Sequence, residues 1–457
     1  MSELLERYRA EAERRRESAL GDEEREAIES EDVPRHSTSV EQAETGWPEP
    51  LAPEAFHGLL GEIVRALDPV TEADPAALLF SLLVGFGNAV GPRPFFGTEG
   101  DRQTGNLYAV LVGKTSGGRK GTSWSRARRL LKLADPDWLA GRVLPGLSSG
   151  EGLIWAVRDP IEKQEPIKEK GRVMDYQSVV VDEGVADKRL LAYESEFAST
   201  LRVLQREGNT LSAIMREAWD RGDLGTLTKA SPARATGAHV SLLGHISKTE
   251  LLRYFDSTEA ANGWGNRILW PCVKRSKLLP EGGSLGGLDE TRFGVRLREA
   301  LEFSRGVDEL TRTEEARKYW GEKYEDLTAE RSGLLGAVTA RGGPQVCRLS
   351  VLYALLDKKS VITLDHLRAA LSVWGFAEDS ARYIFGDSLG DPIADRILGA
   401  LRESDGGLTR TQIADLFQQH RSARQIDRAL EALAELQLAE MKSERTKGRS
   451  AERWVAL

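Results

Sequence analysis

The sequence predicts an α/β protein: a largely parallel sheet wrapped by helices, then a helical stretch, then a small C-terminal module. Three observations carry this reading. Apolar runs at 107–112, 190–193, 239–245 and 267–273 read as buried strands and alternate with helical patterns. The first run leads straight into a glycine-rich loop, V-L-V-G-K-T-S-G-G-R-K-G-T-S over 110–123. Residues 391–457 carry three short helical patterns followed by a basic hairpin.

Taken in order, residues 1–46 are highly charged and nearly devoid of aromatics. A helix over 4–19 would alternate Glu and Arg with no apolar face, so this segment is expected to be flexible until it meets a partner. Trp47 and Pro48 mark the start of the folded part. Residues 51–90 read as two or three helices. Their apolar end, 76–90, is too short and glycine-rich to span a bilayer and reads as a buried helix. After the 107–112 strand and its loop, 124–133 reads as a helix. The stretch 133–190 is poor in strands, and G-L-S-S-G-E-G-L-I at 146–154 offers a second helix N-terminus. Residues 179–181 and 190–193 are β runs joined by 182–189. Residues 289–385 are helical throughout. At the C-terminus, helices over 393–401, 409–417 (capped by Thr409) and 422–436 precede a hairpin over 439–457. That hairpin bears Lys442, Arg445, Lys447, Arg449 and Arg453, and the whole reads as a winged helix. The expected divisions are the charged segment 1–46, an α/β core with N-terminal helices over 47–285, a helical lid over 286–388 and the winged helix over 389–457.

Composition narrows the function. The chain has 457 residues, 40% of them hydrophobic, and a net charge of −8, so any DNA contact must come from local basic patches. Cys272 and Cys347 are the only cysteines and form no C-x-x-C, which excludes a zinc finger and a disulfide framework. With no signal-peptide pattern at its start, the protein is expected in the cytoplasm and off the membrane.

The chemistry centres on the glycine-rich loop. Gly113, Gly117, Gly118 and Gly121 allow backbone N–H groups to point into one cavity. Lys120 can reach the β- and γ-phosphates of ATP, and Thr122 or Ser123 can hold Mg²⁺. A helix beginning here would aim its positive end at the phosphates. The spacing departs from G-x-x-x-x-G-K-[ST]: Arg119 separates Gly118 from Lys120, and Gly121 separates Lys120 from Thr122. The plainer reading is a glycine-rich surface turn. A phosphate loop also needs an acid at a neighbouring strand tip, to hold the metal and orient water. V-V-V-D-E at 179–183 is one source, but Gly184 follows at once, and Asp182-Glu183-Gly184 equally closes a hairpin onto 190–193. Glu194 and Glu196, in L-L-A-Y-E-S-E-F, run into a helix and are favoured. Alternatively, all four are ordinary turn carboxylates.

From Leu190 to Ser247 the chain resembles the core of AAA+ replicative helicases of the MCM kind. Ser195-Glu196-Phe197 stands where that family has D-E-F, Leu227-Thr228-Lys229-Ala230 stands at its DNA-facing hairpin, and Ser241 to His245 stands at its sensor strand. The resemblance implies that Glu196 is the catalytic glutamate and His245 the sensor. Serine at 195 leaves Mg²⁺ to Thr122, water or Glu194. By the same resemblance Arg267, in G-N-R-I, is an arginine finger reaching the next subunit's nucleotide, and Arg341 and Arg348 open a lid and contact the nucleotide. Lys229 and Arg234 would face DNA, as would Lys442, Arg445, Lys447 and Arg449 of the basic wing.

A closer similarity covers most of residues 47–385. The strings W-P, G-R-K-G-T-S, G-L-S-S-G-E-G-L-I, D-K-R-L-L-A-Y-E-S-E-F-A, L-T-K, G-H-I, N-G-W-G-N-R and R-L-S-V-L-Y-A-L-L-D resemble the YfjI-like bacterial P-loop ATPases, which accompany primase-polymerases on mobile elements. The likeness implies an ATPase that works on mobile DNA, with a primase-polymerase as a partner; a finger arginine, useful only at a neighbour's site, implies a ring, a hexamer, acting as helicase, translocase or initiator. Residues 1–46 are too short to hold a primase domain themselves. Two alternatives stay open: an ATPase that senses nucleic acid in phage defence, and a nucleotide-gated DNA-binding scaffold with weak hydrolysis.

Overall fold

A computed structural model of the chain describes residues 46–457 apart from 170–171, 227–233, 256–258, 260–261, 284–288, 330, 332, 387–390, 405, 418–420, 437 and 445–450. Lys229, Arg445, Lys447 and Arg449 therefore lie outside the described residues.

Two helices lead in, α1 (Gly58–Leu67) and α2 (Pro75–Val90). Asp74 caps α2 by accepting the Ala76 N–H, Pro75 occupies the first turn, and every residue from Ala76 to Val90 is buried. A hairpin of β1 (Phe95–Thr98) and β2 (Asp101–Thr104) follows, then β3 (Tyr108–Val112), α3 (Lys120–Ala134), α4 (Pro136–Arg142), β4 (Val143–Leu144) and α5 (Gly150–Ala156). Ser149 caps α5, at the second helix N-terminus that the stretch 146–154 offered. Next come β5 (Ile161–Glu169), β6 (Arg172–Asp182), β7 (Arg189–Glu194), α6 (Phe197–Leu204), α7 (Leu211–Asp220), β8 (Leu224–Gly225), β9 (Arg234–Ala235), β10 (His239–Ile246), α8 (Lys248–Tyr254) and β11 (Ile268–Leu269).

The central sheet has five strands in the order β11-β3-β10-β7-β4, and every pairing is parallel. The fold is thus α/β with a parallel sheet. Its interior strands are buried along their whole length in β3 and β10, the pattern of a sheet covered on both faces.

Two expectations need correction. The run 179–181 does not pair with 190–193. It belongs to β6, which pairs antiparallel with β5 in a two-stranded arm. The segment 289–385 is not helical throughout. Between α9 (Glu290–Arg305) and α10 (Glu314–Thr328) lies β12 (Glu309–Arg312), and between α12 (Gly342–Leu356) and α13 (Leu364–Phe385) lies β13 (Val361–Ile362). These two strands join the β1–β2 hairpin in a four-stranded sheet of order β13-β12-β1-β2. One short helix, α11 (Gly333–Thr339), sits between α10 and α12. A single apolar cluster runs from Leu51 to Ala377, so helices on both sides of residue 286 share one core. Helix α9 lies so close to α3 that a Cβ at Gly294 would come within 2.4 Å of the Leu133 Cβ.

The C-terminal module has its own core, built on Ile397, Leu401, Ile413, Ile426, Leu430 and Leu433. It comprises α14 (Pro392–Arg402), α15 (Arg410–Asp415), α16 (Ala423–Glu435) and a three-stranded antiparallel sheet of β14 (Leu408–Thr409), β15 (Ala439–Glu444) and β16 (Ala451–Ala456). Thr409 and Ser422 form capping boxes with Gln412 and Gln425. Among the described residues, no helix is long and apolar enough to cross a membrane.

Candidate functional site

Three neighbouring strands end at one place. β3 passes into the glycine-rich loop, β10 ends at His245 and Ile246, and β7 ends at Glu194, just before Ser195 and Glu196. Ligands of parallel sheets sit at the carboxyl ends of strands, and here a cavity of about 760 Å³ opens. Its walls include Lys120, Gly121, Thr122, Tyr193, Ser195, Glu196, His245 and Glu250.

Helix α3 starts at Lys120, four residues before the expected position 124, so Lys120 lies in its first turn. Its Nζ donates to the carbonyls of Gly113 (3.0 Å) and Lys114 (2.9 Å), which folds the ammonium back across the loop. Burial pulls the Lys120 pKa down, while Glu196 and then Glu250 push it back up. Gly113 is needed for close approach: a Cβ there would meet the Val273 carbonyl oxygen at 2.3 Å. The sharp bend of the loop does not fall on Gly117 or Gly118, which form a 3-10 turn with residue 116. It falls on Arg119, whose φ of 49° is left-handed.

Thr122 is half-buried in the cavity wall, whereas Ser123 is fully buried. The Ser123 hydroxyl donates to the Lys120 carbonyl at 2.7 Å, so of the two hydroxyls only Thr122 faces the cavity.

The two favoured carboxylates part company. Glu196 lines the cavity. Glu194 is 6% exposed, and its Oε1 accepts the N–H groups of Gly146 (2.6 Å) and Leu147 (2.7 Å). Its expected roles in catalysis and metal binding are not matched by its position. It fastens the loop that leads to α5. Asp182 lies at the base of the β5–β6 arm, in a two-pronged pair with Arg158 that holds its pKa down.

His245 is 4% exposed, and its Nε2 has no hydrogen-bond partner among the described residues. Burial, and secondarily the Lys120 charge, push its pKa down to about 3, so the ring is neutral. Tyr193 meets it edge-on at 5.4 Å, and Trp124 stacks on Tyr193 at 5.1 Å. A neutral imidazole in the wall of a polar cavity can donate or accept a hydrogen bond there.

The three arginines lie elsewhere. Arg267 precedes β11, whose Ile268 is level with Tyr108, the first residue of β3. Five residues of strand, about 16 Å, separate it from the loop end. Its guanidinium is buried, paired with Asp220 at 2.6 Å and donating to the Gly263 carbonyl. Arg341 pairs with the same Asp220 at 3.2 Å. Arg348 is 1% exposed, stacks over Trp219 at 3.6 Å and donates to Gln103, Asn106 and the Trp219 carbonyl. Burial lowers its pKa to about 9. The structure therefore gathers Arg267, Arg341 and Arg348 at the amino end of the sheet, away from the cavity. Arg267 is held inside its own chain rather than presented to a neighbour.

Of the expected DNA contacts, Arg234 is exposed on β9, and Lys442 is exposed on β15 with Glu440 at 2.8 Å. Sequence reasoning missed Arg126, Arg129, Ser247 and Glu250 in the cavity wall. The available signal was helical spacing, since positions 122, 126 and 129 share one face of α3. A scan against protein-family models and a search of curated proteins each return no match.

Proposed function

We propose that this chain is a ring-forming ATPase of the AAA+ type that acts on DNA, with the cavity as its nucleotide site. The observation that supports this most is the meeting of Lys120, Glu196 and neutral His245 at the ends of three adjacent strands. In that reading the triphosphate lies over the α3 N-terminus, with Lys120 leaving the loop carbonyls to meet it. Glu196 orients the attacking water and accepts its proton. His245 supplies a neutral hydrogen-bonding group to the phosphoryl oxygens. The donor set fits Mg²⁺, which keeps several waters and takes few protein ligands: Thr122 would hold it, with Ser195 and Glu196 in reach through water. Its charge would offset that of the phosphates. The C-terminal module is read as a winged helix that meets DNA phosphates.

The arginine finger is part of the same proposal. Arg267 sits at the far end of the sheet from its own Lys120, so it could serve only another subunit's nucleotide. It would first have to leave Asp220. This stowed position also favours a second reading, a nucleotide-gated scaffold whose hydrolysis is weak until rings form.

Turnover of ATP by the full chain, with and without DNA, tests the reading. The ATPase reading expects DNA-stimulated hydrolysis, absent in Lys120→Ala and in Arg267→Ala, and partly restored when these two variants are mixed. Hydrolysis that is absent while ATP still alters DNA binding supports the scaffold. Failed rescue in mixtures that co-assemble by native mass spectrometry removes the trans-acting finger and, with it, the main reason for a ring ATPase.

A further inference from the structure

The loop departs from the usual phosphate-loop spacing at Arg119, and the structure shows where the side chain of that residue goes. Its backbone is left-handed, a conformation that disfavours any side chain with a Cβ, in a loop otherwise rich in glycine. Its side chain lines the cavity, yet its Nε lies 2.5 Å from Glu72 Oε2, a close ion pair that is not aligned as a hydrogen bond. Glu72 is not a cavity residue. It is fixed from behind, because its Oε1 accepts the Leu279 N–H at 2.8 Å and its own carbonyl accepts the Ser276 N–H at 3.1 Å. Arg275 lies 3.8 Å from the same carboxylate. Arg126, also in the cavity wall, donates to the Val70 carbonyl at 3.2 Å, so the segment 70–72 grips the loop and α3 together. A guanidinium beside Lys120 suits phosphate oxygens, which it binds in a fork.

We propose that Arg119 is a phosphate-binding residue held off its ligand by Glu72, so that a nucleotide must compete with this carboxylate to bind. This rests on the nucleotide reading above. Glu72 acts through Arg119 and is a positioning residue: an internal anion that occupies the cation until a polyphosphate displaces it. The left-handed strain at Arg119 is tolerated because glycine there would supply the bend without the charge.

The test is calorimetric binding of ATP, in Mg²⁺ buffer, to the full chain and four variants. Arg119→Gly keeps the left-handed backbone and should melt at the same temperature as the parent or higher, yet bind ATP about tenfold more weakly. Glu72→Gln keeps an acceptor for the Leu279 N–H and should bind ATP roughly fivefold more tightly, the scale of a partly exposed ion pair. Glu72→Gln added to Arg119→Gly should change nothing further. Parent-like affinity in Arg119→Gly overturns the proposal, as does a Glu72→Gln effect that survives without Arg119. Lys120→Ala separates the two levels of the argument. If the parent binds ATP, Lys120→Ala does not, and the other variants match the parent, only the Glu72 latch fails. If the parent itself does not bind ATP, the nucleotide reading fails with it.

Discussion

Glu194 and Glu196 stand two residues apart, and the account gives them opposite jobs. Glu194 is structural: one buried oxygen accepts two backbone N–H groups, at 2.6 and 2.7 Å. Glu194→Ala leaves both donors without that partner. A hydrogen bond to a charged group contributes about 1.5–3 kcal/mol. Gly146 is exposed and Leu147 half-buried, so water replaces part of the loss, and the cost falls below twice the low end, to about 2 kcal/mol for the pair. At a urea slope of about 3 kcal/mol/M, the unfolding midpoint should fall by roughly 0.7 M. Glu196→Gln removes an exposed carboxylate that makes no hydrogen bond or ion pair among the described residues. Its midpoint should stay within about 0.2 M of the parent, while ATP turnover falls on the order of a hundredfold or more. The paired assay is urea unfolding by circular dichroism beside steady-state phosphate release. Glu194→Ala stopping turnover at unchanged stability, with Glu196→Gln turning over normally, refutes the assignment.

Two further predictions follow from burial. Arg348→Met should destabilise the chain by about 3 kcal/mol, because it strips partners from Gln103, Asn106 and the Trp219 carbonyl; equal stability with weaker ATP binding would instead return Arg348 to the nucleotide. His245 and His239 have folded pKa values pushed down to about 3 and about 4, chiefly by burial. The unfolded chain therefore takes up these protons first, and stability should fall as the pH drops from about 6.5 toward 4. His245→Asn should flatten that slope in urea titrations across the range, and an unchanged slope would mean that His245 is already charged in the fold.

Much of the core was legible because local signals agreed with the tertiary outcome. The 107–112 strand, the buried helix ending at Val90, the Ser149 cap and the helices and hairpin of the C-terminal module all follow from apolar period and capping residues. The short strands β1, β2, β12 and β13 were not legible. Their sheet is joined across some two hundred residues of chain, where Phe95 of β1 meets Glu309 of β12, and their own few residues carry little pattern. Apart from the β run 179–181, the arm 161–182 was missed because its faces mix charge with exposed Val173, Tyr176 and Val180, which breaks the alternation of a half-buried strand. At the site, residue type announced Lys120, Thr122, Glu196 and His245. It could not say that Glu194 turns to a backbone loop, since β7 ends there and the turn at 195–196 breaks the strand's alternation. Nor could it say that Arg267, Arg341 and Arg348 collect around Trp219 and Asp220. Sequence spacing places an arginine on an element, but the partner that claims it comes from another part of the chain.

The central claim is that the cavity at Lys120 is a nucleotide site. Its most direct test is equilibrium binding of ATP to the full chain and to Lys120→Ala, with Lys114→Ala as the control. Lys120 reaches across the loop to the Gly113 and Lys114 carbonyls, whereas Lys114 lies at the strand end and is absent from the cavity wall. Saturable binding is expected at one site per chain, lost in Lys120→Ala and retained in Lys114→Ala. Binding that survives Lys120→Ala, or a parent chain that binds no ATP, would contradict it.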